Sequence, residues 1–279
     1  MRKLPKPDLD YQEHFYNCIS NKSPELRSRL ESYFPRLVAA SRRYETHANN
    51  VEFFKISSIG VGASMHSALT VLYRNQMAKK KASGRNVYDR IIISAGGQCP
   101  FCTHGTPKTL DHYLPQTDFP EFSVFPANLI PCCKDCNHEK GTHSAQNQFE
   151  QFIHPYFEDI SQLQWLESKI DYSMENAPSF IFFVNESVEG LGSTLFARLK
   201  FQFKKLNLNK IYSIQAGNEL TGIESHIRAV QEEGGANEVK SYLQSLARSR
   251  TEKNKNSWQA AMYRAMAIDD EFCVMNWSL

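Results

Sequence analysis

The sequence predicts an α+β protein, mostly helical, in which a small metal-tied unit of two strands and a helix lies between helical flanks. Three observations carry this. Residues 85–150 contain two C-x-x-C steps, Cys99-Pro-Phe-Cys102 and Cys133-Lys-Asp-Cys136, the spacing of a closed tetrahedral zinc site. The stretches on either side repeat apolar residues at helical spacing. One segment, Ser179 to Val184, is rich enough in Phe, Ile and Val to read as a buried strand.

Gross composition bounds the rest. The 279 residues, 41% hydrophobic and 12% aromatic, suffice for a folded core of one large domain or two to three small units. Net charge is +2, so any phosphate-binding surface must come from local segregation of Lys and Arg. Seven cysteines, four with metal-ligand spacing, favour a reducing compartment with zinc over a disulfide framework. The N-terminal Met-Arg-Lys-Leu-Pro-Lys-Pro has no apolar run behind it, and no stretch has the length to span a bilayer. The expectation is a cytoplasmic protein with no membrane contact.

The first 84 residues read as helical. Ser23-Pro24 is a helix start, with Leu26, Leu30, Phe34, Leu37 and Val38 following at helical spacing; Pro35 inside that pattern predicts a kink or a break. Met65, Leu69, Leu72 and Tyr73 mark another helix, ending at Lys79-Lys80-Lys81 with Ser83-Gly84 as a linker. The lysines and Arg85 could track a nucleic-acid backbone, although a solvated charge run is the plainer reading. A helix over 85–93 leads into the cysteine frame, and Gly96-Gly97 can stop it. Within the frame, Lys108 to Leu110 reads as a strand, 115–126 as a proline-rich loop, and Cys133 to Lys140 as a short helix capped by Gly141. Residues 151–279 form a mainly helical C-terminal region with the one strand near 179–184. His154-Pro155-Tyr156-Phe157 forms a packed corner at its start. Glu233-Gly234-Gly235 interrupts the helices, and Trp258, Met262, Ala265 and Met266 mark the last one.

The central segment carries the chemistry. Cys99, Cys102, Cys133 and Cys136 give four thiolates for a structural Zn²⁺; Cys132 could replace Cys133, but only Cys133 completes a C-x-x-C step. Asp111 and Asn137 offer hard oxygen ligands suited to Mg²⁺ or Mn²⁺. His112, beside Asp111, is the natural proton acceptor near neutral pH. Neighbouring strand residues point to opposite faces, so the strand must end or twist at this pair. A folding metal and a working metal with a base between them describe a hydrolase of phosphodiesters.

Leu-Asp-His-Tyr-Leu-Pro at 110–115, Asn-Leu at 128–129 and Cys-x-x-Cys-Asn-x-x-Lys-Gly at 133–141 resemble the HNH endonuclease superfamily, over about positions 85–145. The resemblance implies a zinc-stabilised ββα-metal nuclease unit. It implies that Asp111 and Asn137 bind the catalytic divalent metal and that His112 takes the proton of the attacking water. It also implies that Asn128 is a loop clamp holding that base. Asn137 stands where the family has His or Asn, which favours an oxygen-rich metal site. Lys140 and His143 are weaker candidates for substrate phosphate. With His-Pro-Tyr-Phe at 154–157 and the helical flanks, the chain is similar to HNH subunits of prokaryotic anti-phage defence loci of Septu and retron-linked type. That similarity implies an ABC-type ATPase partner and a nucleic-acid substrate, DNA ahead of RNA. A homo-oligomer is compatible with it. The alternative is a zinc-stabilised module that binds nucleic acid or protein without catalysis.

Overall fold

The computed structural model describes residues 1–173 and 178–275; the parts of the expected C-terminal region at 174–177 and 276–279 lie outside the described residues. It is α+β and mostly helical, and the chain divides into two compact units, Met1–Asp159 and Ile160–Leu279. No helix among the described residues is long and apolar enough to cross a membrane.

The first unit opens with helix α1 (Tyr11–Ile19), N-capped by Asp10, whose carboxylate accepts the Glu13 N–H. Helix α2 (Pro24–Asn49) begins as expected, with Ser23 as cap and Pro24 in the first turn. The break expected at Pro35 does not occur. Pro35 is exposed, so water can take the carbonyl that its missing N–H leaves open, while Phe34 and Leu37 bury on the other face. Helix α3 (Ala63–Leu72) continues into one π-helical turn, Tyr73–Met77. The linker expected at Ser83-Gly84 is instead a pinned turn. The Gly84 N–H donates to Gln76 O at 2.8 Å, and a Cβ there would meet Cys18 Sγ at 2.7 Å. Helix α4 (Arg85–Ser94) follows, ended by Gly96 and Gly97 with φ of +55° and +79°.

The hairpin comes next. Strand β1 spans Thr109–His112, later than the expected 108–110, and pairs antiparallel with β2 (Leu129–Cys132), Asp111 opposite Ile130 and His112 opposite Leu129. The hairpin leads into α5 (Lys134–Lys140), N-capped by Cys133 and ended by Gly141 at φ +57°. Two strands and a seven-residue helix cannot bury a core alone. The missing apolar surface comes from the helices: Phe15, Phe34, Leu37, Leu69, Leu72, Val87 and Ile91 form one cluster with Leu110, Val124 and Leu129. Each such side chain contributes about 1.5–3 kcal/mol. The region expected over 1–84 and the hairpin expected within 85–150 therefore share one core and one unit.

A lone hairpin also leaves outward backbone carbonyls unpaired. Tyrosine hydroxyls supply many of the missing donors here. Tyr73 donates to Leu110 O (3.0 Å), Tyr88 to Lys108 O (3.3 Å), Tyr44 to Ala127 O (3.3 Å) and Tyr156 to Leu129 O (2.7 Å). His154 is fully buried at the corner after α5. Its Nδ1 accepts the Tyr156 N–H, which leaves its Nε2–H to donate to Tyr44 Oη at 3.1 Å, and its ring stacks on Phe53.

The second unit holds a two-stranded sheet, β3 (Leu166–Asp171) antiparallel to β4 (Ser179–Val184), followed by α6 (Ser193–Lys205), α7 (Leu208–Lys253), α8 (Trp258–Ile268) and α9 (Asp270–Val274). Strand β3 was not expected. Its Leu-Glu-Ser-Lys-Ile-Asp is mostly polar, and only Leu166 is buried. Its mate β4 is half-buried rather than buried: Phe180 and Phe182 face the core while Phe183 is exposed. The interruption expected at 233–235 is present as a non-helical Gly235, φ +70°, inside α7. Buried Asn256 ties the strand entry to the helices, its Oδ1 accepting the N–H groups of Trp165 (2.8 Å) and Leu166 (3.0 Å).

Two buried histidines make the first unit acid-sensitive. Burial lowers His14 from 6.5 to about 4 and pushes His154 well below its ordinary value. Both groups have depressed folded values, so their contribution is complete above about pH 6.5 and declines as pH falls below it, for His14 down to about 4, because the unfolded chain takes protons that the folded one refuses. For His14 alone the loss is ~3 kcal/mol. Urea unfolding followed by circular dichroism at about pH 7 and about pH 4.5 should show this fall, and His14→Leu should show a smaller one.

Candidate metal centre and hydrolytic cleft

The two cysteine steps meet at one point. The sulfurs of Cys99, Cys102, Cys133 and Cys136 all lie within 4.8 Å of one another and are buried. Cys102 Sγ and Cys133 Sγ are 3.8 Å apart. Four sulfurs at bonds of ~2.3 Å around a tetrahedral ion stand about 3.8 Å apart, so the spacing fits zinc. Both steps present the N–H···S turn that thiolate ligands use: the Gly105 N–H donates to Cys102 Sγ at 3.3 Å and the Cys136 N–H to Cys133 Sγ at 3.4 Å. Gly105 is required there, because a Cβ would fall 2.7 Å from Cys133 Cβ and 2.9 Å from its sulfur. Burial pushes the Cys99 thiol up to about 12, whereas donation from neighbouring thiols, Cys102 first, drives Cys133 far down. A cation in the middle would let all four ionise. Cys132 lies beside the cluster, 4.0 Å from Cys99 Sγ, at the end of β2, and the ligand set includes Cys133 instead.

The cluster joins the turn before β1 to the first turn of α5. It thereby brings Asn137, the residue after Cys136, to the cleft that the end of β1 also lines. Asp111, His112 and Asn137 all line one cleft of about 440 Å³, together with Tyr73, Ala78, Tyr88, Gln116 and Thr142. β1 ends at His112, as the adjacent Asp-His pair requires if both are to serve one site.

Asp111 is 4% exposed. The Lys140 ammonium lies 3.0 Å from its Oδ2, hydrogen-bonds its Oδ1 at 3.3 Å and donates to His112 O at 2.7 Å. Burial raises the Asp111 carboxyl above the usual carboxylate value, and Lys140 opposes that rise. Its Oδ2 is buried without a hydrogen bond. A carboxylate whose Oδ2 has only the Lys140 charge as partner among the described residues, in a cleft that Asn137 also lines, gives a donor set of hard oxygens that fits a divalent Mg²⁺-type ion.

His112 is 8% exposed, and its Nε2 lies 2.9 Å from Ser123 O. A carbonyl only accepts, so Nε2 carries the proton and Nδ1 keeps the lone pair. The Tyr73 ring meets the imidazole edge-on at 4.4 Å. Burial lowers His112 to about 4, partly offset by the Ser123 bond, so the ring is neutral at physiological pH. Asn128 is fully buried. Its Oδ1 accepts the Leu114 N–H (2.8 Å), and its Nδ2 donates to Leu114 O (3.0 Å) and Phe122 O (3.4 Å). The amide thus holds the two chain segments between β1 and β2 together, next to His112.

Two expected residues lie otherwise. Lys140 is neither a solvated cation nor free for a phosphate: its side chain is 1% exposed and is turned onto Asp111. His143 does not line the cleft; its Nε2 bonds Glu150 O at 2.9 Å and its ring packs on Phe152. Sequence reasoning missed Tyr73 and the Ser123 carbonyl. Tyr73 reads as the end of an apolar helical stripe, and a backbone carbonyl leaves no signature in sequence.

No family model matches the chain. No solved structure matches it. Over 299 residues it is 28% identical to protein ea31 of Escherichia phage lambda, covering 98% of this chain and 99% of that protein. Over 63 residues it is 41% identical to Septu protein PtuB of Bacillus thuringiensis, a match covering 21% of this chain and 24% of that protein.

The sulfur geometry predicts about one zinc per chain, read by elemental mass spectrometry. Cys99→Ser or Cys136→Ser should lose it and lower the unfolding midpoint, while Cys132→Ala should retain it. Gly105→Ala should behave like a ligand loss without touching a sulfur. Lys140→Met leaves a buried carboxylate unpaired and should cost about 3–5 kcal/mol in urea unfolding without added divalent ion.

Proposed function

We propose that the chain is an HNH-type endonuclease that hydrolyses phosphodiester bonds of nucleic acid, DNA ahead of RNA. The observation that carries this reading is the convergence of a carboxylate, an oriented neutral imidazole and an amide oxygen on one cleft beside a four-cysteine cluster. Asp111 and Asn137 would hold a divalent ion, Mg²⁺ or Mn²⁺. When bound, that ion supplies charge stabilisation to the phosphoryl oxygens and to the leaving oxygen.

The remaining chemistry falls to the chain itself. His112 Nδ1 accepts a proton from water as the water oxygen bonds to phosphorus; the P–O3′ bond breaks and the departing 3′ oxygen takes a proton from solvent water, leaving 5′-phosphate and 3′-hydroxyl ends. Ser123 O holds the tautomer that keeps Nδ1 basic. Asn128 holds the loop that carries Ser123 against the end of β1. Tyr73 closes one side of the ring and shields it from solvent. Lys140 opposes the rise that burial imposes on the Asp111 carboxyl and steadies the His112 carbonyl.

The short similarity to a Septu protein fits a role in anti-phage defence. In that setting the partner would be an ABC-type ATPase. One observation favours a second reading, a binding module without catalysis: the Lys140 ammonium already pairs with the Asp111 carboxylate, 3.0 Å from its Oδ2.

Cleavage assays on plasmid DNA and on RNA, with Mg²⁺ or Mn²⁺, separate the two. The nuclease reading predicts divalent-dependent cutting that His112→Ala reduces by about 10²–10⁴-fold. Asp111→Ala and Asn137→Ala should raise the metal concentration needed. The acid limb of the rate profile should lie below the ordinary histidine value of about 6.5, because the base stays neutral as pH falls. Equal nicking by wild type and His112→Ala would remove the imidazole from the reaction and leave the binding module.

A further inference from the structure

One wall of the cleft comes from the helical part of the first unit. Ala78 and Tyr88 both line it, and the turn between them carries Lys79, Lys80 and Lys81. That turn is held at several points. Gly84 N–H donates to Gln76 O at 2.8 Å, Ser83 Oγ to Gln76 Oε1 at 3.1 Å, and Arg85 Nη1 to Ala78 O at 2.6 Å. The glycine admits no side chain, since Cys18 Sγ and Gln76 O fill the space. Arg85 is committed to the wall: it pairs with Asp89 at 2.8 Å and lies over the Tyr88 ring.

The three lysines differ from Arg85. All are exposed, and among the described residues none forms an ion pair. Lys22 adds a fourth cation nearby; burial lowers its value, Cys18 raises it, and Lys79 lowers it further as a like charge. Like charges gathered on a pinned turn repel one another, and a polyanion at the cleft mouth would relieve that repulsion. A rigid turn also binds without paying the ordering cost of a mobile one. Pro115, Gln116 and Thr117, which also line the cleft, carry no charge.

We propose that the 78–84 turn is the backbone rail of the cleft: Lys79, Lys80 and Lys81 contact successive phosphates of the nucleic-acid strand whose scissile bond lies at His112. The proposal rests on the nuclease reading above. It assigns substrate binding to the N-terminal helical part of the unit rather than to α5, where Lys140 is turned inward.

The test is binding in a His112→Ala background, with fluorescent DNA and RNA, each single-stranded and duplex, over a salt series. Each lost phosphate contact lowers the slope of log affinity against log salt by about 0.7–0.9. Lys79→Ala/Lys80→Ala/Lys81→Ala should lower that slope by about 2–3 and weaken binding by about tenfold or more near ~150 mM salt. The control variant Lys204→Ala/Lys205→Ala/Lys210→Ala removes the same charge from the second unit and should change neither. Equal losses in both variants would reduce the effect to net charge and overturn the rail. Polyglutamate bound as tightly as nucleic acid, with the same loss in the triple variant, would also overturn it, in favour of a general polyanion surface. If the intact chain cuts nucleic acid and the triple variant keeps its salt slope, the rail falls and the nuclease reading stands. If the intact chain neither binds nor cuts any of the four substrates, both fall.

Discussion

Four sulfurs crowded within 4.8 Å of one another are the constraint on which this structure turns. Buried thiolates at that distance repel one another, and buried thiols gain little from the contact. A tetrahedral ion turns the crowding into folding energy. The ion would tie the turn at 99–105 to the N-terminus of α5, two segments that lack a core of their own. Asn137 and Lys140 follow on that helix, and the place of Asn137 in the cleft and of Lys140 against Asp111 depends on where the cysteines hold it. Gly105 shows how little slack exists, because even a methyl group there would strike Cys133.

The second determinant is the division of labour between the hairpin and the helices packed on it. β1 and β2 supply only four residues each. Their apolar side chains find partners on α1, α2, α3 and α4, and tyrosine hydroxyls from those helices and from the corner after α5 satisfy backbone carbonyls of the segment. A chain from His154 through Tyr44 to Ala127 O reaches the residue before Asn128, and Asn128 in turn holds the loop beside His112. The orientation of the imidazole is thus set by contacts whose sequence partners lie far from it. Such a ring keeps its tautomer without a dedicated carboxylate, which an exposed Asp-His pair would lack.

The four cysteines were legible because metal chemistry is local: two C-x-x-C steps keep their meaning without the fold. Helices with strong apolar stripes were legible for the same reason, down to the interruption at Gly235. What escaped depends on tertiary partners. Pro35 reads as a break until the helix is seen to expose that residue. β3 reads as nothing, because a polar edge strand is stabilised by its pairing with Phe180 and Phe182 of β4 rather than by its own pattern. Lys140 reads as a helix-end cation until α5 rotates it onto Asp111, and Ser83-Gly84 reads as a linker until Cys18 is found beneath it.

The central claim is that a sulfur-only ion site positions an oxygen- and imidazole-lined cleft. Zinc K-edge X-ray absorption on the purified chain tests it most directly. The account predicts a first shell of about four sulfurs at ~2.3 Å with no nitrogen or oxygen scatterer. A shell containing light atoms, or fewer sulfurs, would mean that the two cysteine steps do not close on one ion, and the place of Asn137 in the cleft and of Lys140 against Asp111 would lose its cause.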